Sequence, residues 1–186
     1  VQDVSGNALT TATTQFTYAV VVPAAFRDVI INEIMADPTP QIGMPAVEFI
    51  EIYNRTGNSY DLNGWKFTDG STTGNIGAYT LLPNQYLIIC SNTDTALFTG
   101  FGARIGVASF PSLNNTGDHL YIKDNTLAVI DSVTYTDAWY QDNVKQAGGW
   151  TLELINPNAA GGCPASSNWI ASNNPNGGTP GIVNSV

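Results

Sequence analysis

His119-Leu120-Tyr121-Ile122-Lys123 alternates polar and apolar residues, and Asp124-Asn125 follows directly. A side-chain period of two turns Leu120 and Ile122 inward and sends His119 to solvent. Asp124-Asn125 predicts a tight hairpin into a second strand beginning near Leu127. The same period recurs in Trp65-Lys66-Phe67-Thr68, with both rings on one face. It recurs again in Trp150-Thr151-Leu152-Glu153-Leu154, with Trp150, Leu152 and Leu154 inward.

Other runs are apolar on both sides: Val29-Ile30-Ile31, Phe49-Ile50 and Tyr86-Leu87-Ile88-Ile89-Cys90. They predict central strands covered on both faces, because they are short and rich in branched residues. Pro83-Asn84, Asp61-Leu62-Asn63-Gly64 and Asp69-Gly70 supply turns between strands. The segment Asp137–Gly149 lacks strand character and predicts a short helical turn around Ala138–Asp142. Beyond Ile155 the Gly-, Pro- and Asn-rich tail reads as loop. Together these signals predict an all-β domain of about eight or nine mostly antiparallel strands, a sandwich or barrel.

The bulk composition narrows the class of function. Hydrophobic residues make up 43% of the 186, enough for a sizeable core, whereas charged residues make up only 11%. Average soluble domains carry roughly 25% charged residues. Asn, Thr, Ser and Gly fill the difference, as is common in extracellular modules. Six basic side chains stand against 15 acidic ones, for a net charge of −9. Nucleic-acid binding needs clustered cations to displace counterions, and Arg27, Arg55, Lys66, Arg104, Lys123 and Lys145 are scattered. No nucleic-acid partner is expected. The longest apolar stretch, Tyr18–Phe26, contains Pro23 and falls short of the about 20 residues that span a bilayer, so no membrane insertion is expected. With no Met at Val1 and no leader, the chain reads as a piece of a longer protein with neighbouring domains.

Longer motifs carry a family resemblance. Val29-Ile-Ile-Asn-Glu-Ile-Met-Ala-Asp-Pro38 is followed by Glu48-Phe-Ile-Glu-Ile-Tyr-Asn54, Leu62-Asn-Gly-Trp65 and Leu82-Pro-Asn-Gln-Tyr-Leu-Ile-Ile89. Then come Ser112–Leu120, Asp131-Ser-Val-Thr-Tyr135, Trp150–Leu154 and the closing Gly178-Thr-Pro-Gly-Ile-Val-Asn184. In this order, from Arg27 onward, the chain resembles a bacterial lamin tail domain. The resemblance implies an immunoglobulin-like β-sandwich with no catalytic residues. It also implies an exported, cell-surface or extracellular setting, in which such modules serve adhesion or assembly. Residues 25–186 would form this domain. Residues 1–24 resemble the last hairpin and linker of a preceding bacterial Ig-like repeat; the alternative is an integral first strand of the main domain.

Site chemistry is sparse. His119 is the only histidine and faces solvent, so no base is positioned to activate a serine. Strand glutamates Glu33, Glu48, Glu51 and Glu153 read as solvated rather than as a paired-carboxylate cleft. One His and two distant Cys cannot close a zinc site. The best loop is Thr136–Asn143, where Asp137 and Asp142 flank Trp139 and Tyr140. Asp137 and Asp142 could offer oxygens to calcium, or simply cap a turn. The same four residues could take a carbohydrate, with rings against sugar faces, or the rings could plug one end of the sandwich. No other cofactor is indicated. If the protein is exported, Cys90 and Cys163 are expected to form a disulfide, the alternative being two buried thiols. The expected function is a non-catalytic interaction or spacer module with a protein partner. A carbohydrate- or calcium-binding accessory module beside a catalytic domain is the alternative.

Overall fold

Leu120 and Ile122 are fully buried and His119 is exposed, as the alternation requires. The computed structural model describes Ser5, residues 20–159 and residues 166–186. Twelve short strands, four 3-10 turns and no α-helix occur among the described residues. In chain order the strands are β1 (Val29–Met35), β2 (Phe49–Asn54), β3 (Tyr60–Asp61), β4 (Lys66–Thr68), β5 (Thr73–Asn75) and β6 (Thr80–Leu81). They continue with β7 (Tyr86–Ser91), β8 (Arg104–Val107), β9 (Gly117–Lys123), β10 (Val129–Thr136), β11 (Leu152–Leu154) and β12 (Trp169–Ala171). The count exceeds eight or nine because β3, β5, β6 and β12 are only two or three residues long, too short to show a period.

A six-stranded sheet runs β12-β11-β1-β2-β7-β8, a four-stranded sheet runs β10-β9-β4-β5, and β3 pairs with β6 in a small ribbon. Every pairing between these strands is antiparallel except β7 with β8. The double-faced runs become the centre of the large sheet, where both faces are covered. Ile34, Ile50, Ile52, Leu87, Ile89 and Leu154 meet Phe67, Leu120, Ile122 and Val133 of the small sheet in one core. Fully burying each such side chain contributes about 1.5–3 kcal/mol.

Two bulges join the sheets along one edge. The register shifts in β1 between Ile31 and Glu33 and in β10 between Val129 and Asp131. Asp131 Oδ2 then accepts the Ile31 N–H at 2.8 Å, and the Ile130 carbonyl accepts the Arg27 N–H at 2.6 Å. The hairpin after Lys123 is wider than a two-residue turn. Asp124 accepts the N–H groups of Thr126 and Ala128 through one carboxylate oxygen, and Leu127 takes a left-handed φ of 71°.

Most of residues 1–24 lies outside the described residues. Its end is described: Val21 makes a parallel bridge to Ser59, and Val22 N–H donates to the Ser59 carbonyl at 3.1 Å. The tail is more structured than a loop reading suggests. β12 adds the edge strand of the large sheet, with Trp169 fully buried. No helix among the described residues is long and apolar enough to cross a membrane.

Candidate functional site

The Thr136–Asn143 loop contains a 3-10 turn over Asp137–Tyr140, close to the expected helical turn. Asp137 Oδ2 accepts from Gln146 Nε2 at 2.9 Å, and Asp142 Oδ1 accepts the N–H groups of Val144 at 2.8 Å and Lys145 at 3.1 Å. The two backbone bonds to Asp142 hold its carboxyl below the usual range. Trp139 is half-buried, its ring stacked 6.2 Å from that of Trp169. Tyr140 is buried and donates to the Trp150 carbonyl at 3.2 Å, and burial raises its phenol. Among the described residues, no group of three or more His, Cys, Asp or Glu is arranged to hold a metal ion. Trp150, expected in the core, sits half-buried at its rim with Lys145 Nζ 4.8 Å from the ring centre.

Cys90 is a free, buried thiol in a satellite cluster with Met35, Met44, Phe49, Ile88 and Phe98. Burial, with Asp94 nearby, pushes it up to about 11, so it is a poor nucleophile at neutral pH. Its expected partner Cys163 lies outside the described residues.

On the outer face of the small sheet His119 and Thr134 are exposed, Lys66, Tyr121 and Lys123 are half-buried, and Thr68 and Ser132 are buried. His119 and Tyr121 stack with ring centres 4.2 Å apart, Tyr121 Oη lies 3.1 Å from His119 Nδ1, and Lys123 Nζ sits 5.1 Å from the tyrosine ring centre. Register places Lys66 opposite Lys123, and Thr68 and Ser132 on either side of Tyr121. Lys66 also donates to Asn75. No strand position on this face carries a carboxylate, although the chain as a whole is strongly acidic.

The outer face of the large sheet is the reverse, and it overturns the reading of solvated strand glutamates. Register lines up Ile170, Glu153, Glu33, Glu51, Ile88 and Arg104 across all six strands. Glu153, Glu33 and Glu51 stand side by side and are each 0% exposed. Like charges directly opposite one another destabilise a sheet, so something must hold them. The C-terminal segment does, crossing the row as a strap that turns at Gly181. Glu33 Oε1 accepts Thr151 Oγ1 at 2.7 Å and the Thr179 N–H at 2.8 Å. Glu153 accepts Thr179 Oγ1, the Ser185 N–H and Ser185 Oγ, at 2.6–2.8 Å. Glu51 accepts Asn32 Nδ2 at 3.0 Å and the Gly181 N–H. Asn184 ties the strap to Asn32 and to the Leu154 carbonyl.

Desolvation raises Glu33 well above the carboxylate range, and the charge of Glu51 adds to it. Desolvation likewise pushes Glu51 up to about 8 against the bonds from Gly181 and Asn32. The second oxygen of Glu33 is buried with no hydrogen-bond partner. Glu48 is half-buried; desolvation raises its carboxyl while the Leu113 N–H donates to it at 3.1 Å. Sequence reasoning missed the row because the residues that bury it are far away in the chain. The signal available was the setting: Glu33 and Glu51 each sit among apolar neighbours on strands that carry apolar residues on both faces.

The lamin tail domain family model matches residues 23–137, more than half of the chain, and the chain belongs to that family. Lamin tail domains are non-catalytic immunoglobulin-like modules. The match stops at Asp137, short of β11, β12 and the strap. No curated protein matches the chain.

Proposed function

We propose that the chain is an interaction or spacer module of a secreted or cell-surface multidomain bacterial protein, working in adhesion or assembly. The observation that carries this reading is the contrast between the two outer faces. One is sealed by the chain's own tail, and the other offers exposed His119 and half-buried Tyr121 and Lys123 to a protein partner. Partly exposed aromatic and cationic side chains on a hydroxyl-rich sheet suit partner binding. Deleting residues 25–186 from the full-length exported protein should reduce cell attachment or self-assembly, and Tyr121→Ala with Lys123→Ala should reproduce part of that loss in a folded domain. Attachment and assembly unchanged by the deletion would sink the reading.

A carbohydrate- or calcium-binding accessory role is the alternative, supported by the half-exposed Trp139 ring beside Asp137. Binding to a glycan array, abolished by Trp139→Ala, would favour it. Export would also put Cys90 and Cys163 in an oxidising setting, where a bond between them is expected. Intact mass after alkylation without reductant decides this: two alkylated thiols in protein from an oxidising compartment exclude the bond.

A further inference from the structure

Among the described residues, no cation pairs with the Glu153–Glu33–Glu51 row. From β11, β1 and β2 come the three carboxylates and the phenol of Tyr53, which stacks on Tyr86. From β7 come Tyr86, whose phenol feels the Glu51 charge, and the thiol of Cys90. Arg104 of β8 ends the row in register, but its guanidinium is turned away to the Thr95 carbonyl and Thr99 Oγ1. β12 offers Ile170, and the 92–102 segment carries Asp94 as its only charged side chain. Lys145 is engaged with the Ser172 carbonyl and Asn173. Residues 178–185 bring hydroxyl, amide and N–H groups but no charged side chain. Ionised carboxylates in such a place lose hydration that these neutral donors only partly replace, and the buried oxygen of Glu33 receives none. The cover is also tight: a Cβ on Gly178 would stand 2.7 Å from Glu33 Oε1. That leaves little space to solvate a charge with the strap closed.

We propose that Gly178–Ser185 is a pH-released strap, closed over the sheet while Glu33 and Glu51 carry protons and opened when they ionise as the pH rises. The sign follows from linkage. In the closed state both groups titrate above the ordinary carboxylate range; with the strap open and water admitted, they return toward it. The closed state therefore binds more protons, is fully favoured in acid, and is weakened from the ordinary carboxylate range up to about pH 8, where Glu51 titrates. Opening uncovers the acidic row and adds the charges of Glu33 and Glu51 to a face that was sealed.

Hydrogen exchange of the whole chain, measured from pH 5.5 to 9 and corrected for the intrinsic rate, tests this directly. For one proton released per opening, the opening constant of peptides covering residues 178–186 should rise about tenfold per pH unit within the window. Amides of β2 and β7 should stay protected. The double variant Glu33→Gln/Glu51→Gln should remove that dependence. Strap protection constant across the range overturns the proposal, as does loss of protection in the strap and in β2 and β7 together. A folded double variant that keeps the wild-type dependence also overturns it. Should the variant fail to fold, the wild-type profile decides alone.

Discussion

The two outer faces of the sandwich start from the same strand alternation and end in opposite states. On β9 the outward positions His119, Tyr121 and Lys123 stay accessible, and their polar groups keep access to water. On β1, β2 and β11 the outward positions Glu33, Glu51 and Glu153 are sealed beneath Thr179, Gly181 and Ser185. Polarity along a strand therefore does not decide exposure. What decides it is whether another segment brings enough donors to replace water, because a buried polar group without a partner costs about 1–3 kcal/mol and a charge costs more. His119 on the small sheet keeps its contact with solvent. The sealed face is committed to its own chain.

The sharpest way to break this contrast is at the turn of the strap. Gly181 has φ of +87°, and a Cβ there would stand 1.7 Å from the Phe101 carbonyl oxygen. Gly181→Ala should destabilise the domain by about 3 kcal/mol or more in urea unfolding at pH 6, through a left-handed backbone and a direct clash. Thr134→Ala, on the exposed face, should stay within about 0.5 kcal/mol. Equal losses at the two positions would mean that the strap contributes no more than surface decoration.

The contrast is sharpened where the two sheets join. Burial raises the Asp131 carboxyl to about 6, against the pull of the Ile31 N–H and of Arg27. A folded-state value above the unfolded one means stability fully present below the ordinary carboxylate range and lost as the pH rises through about 6. Asp142 has the opposite sign, because its lowered carboxyl favours the fold above the ordinary range and loses that contribution as the pH falls. Between pH 4 and 7, Asp131→Asn should remove a decline of at most about 3 kcal/mol, read from unfolding at several pH values. A variant whose profile parallels the wild type would assign the decline to the glutamate row alone.

The smallest effect is expected at the Asp137–Asp142 loop. Its two carboxylates already accept hydrogen bonds from the loop's own groups. Millimolar calcium should therefore shift the melting temperature by less than about 1 °C, since an ion binding only the folded state would raise it by mass action. A larger shift that disappears in Asp137→Ala/Asp142→Ala would restore the loop as a cation site.

How much of this was legible in the sequence depended on distance along the chain. The inward rows of β4 and β9 and the doubly covered β1, β2 and β7 could be read locally, because periodicity and branching act within a few residues. The turn at Asp137–Tyr140 was legible to within a residue or two. The glutamate row was not, because Thr179 lies 146 residues from Glu33 and Gly181 lies 130 from Glu51. In isolation, a glutamate among isoleucines reads as the solvent side of a strand. The edge strand β12 was missed for a related reason, since three residues in a Gly- and Asn-rich tail show no period and owe their conformation to Leu152–Leu154. Trp150 shows the limit of alternation even nearby. It keeps the inward phase of β11 but lies just before the strand, where the core ends.

The strap also bears on how the protein is made. Every strand of the large sheet except β12 has been synthesised once Leu154 emerges, but the donors that seal Glu33, Glu51 and Glu153 arrive only with Thr179, Gly181 and Ser185. Closure over Glu33 and Glu51 therefore waits on partners 146 and 130 residues further along, and long-range contacts of this kind form slowly. A chain that stops early, or is clipped between Leu154 and Gly178, has its central strands but leaves three carboxylates without their lid. A sealed face therefore requires a chain left intact from Glu33 through Ser185.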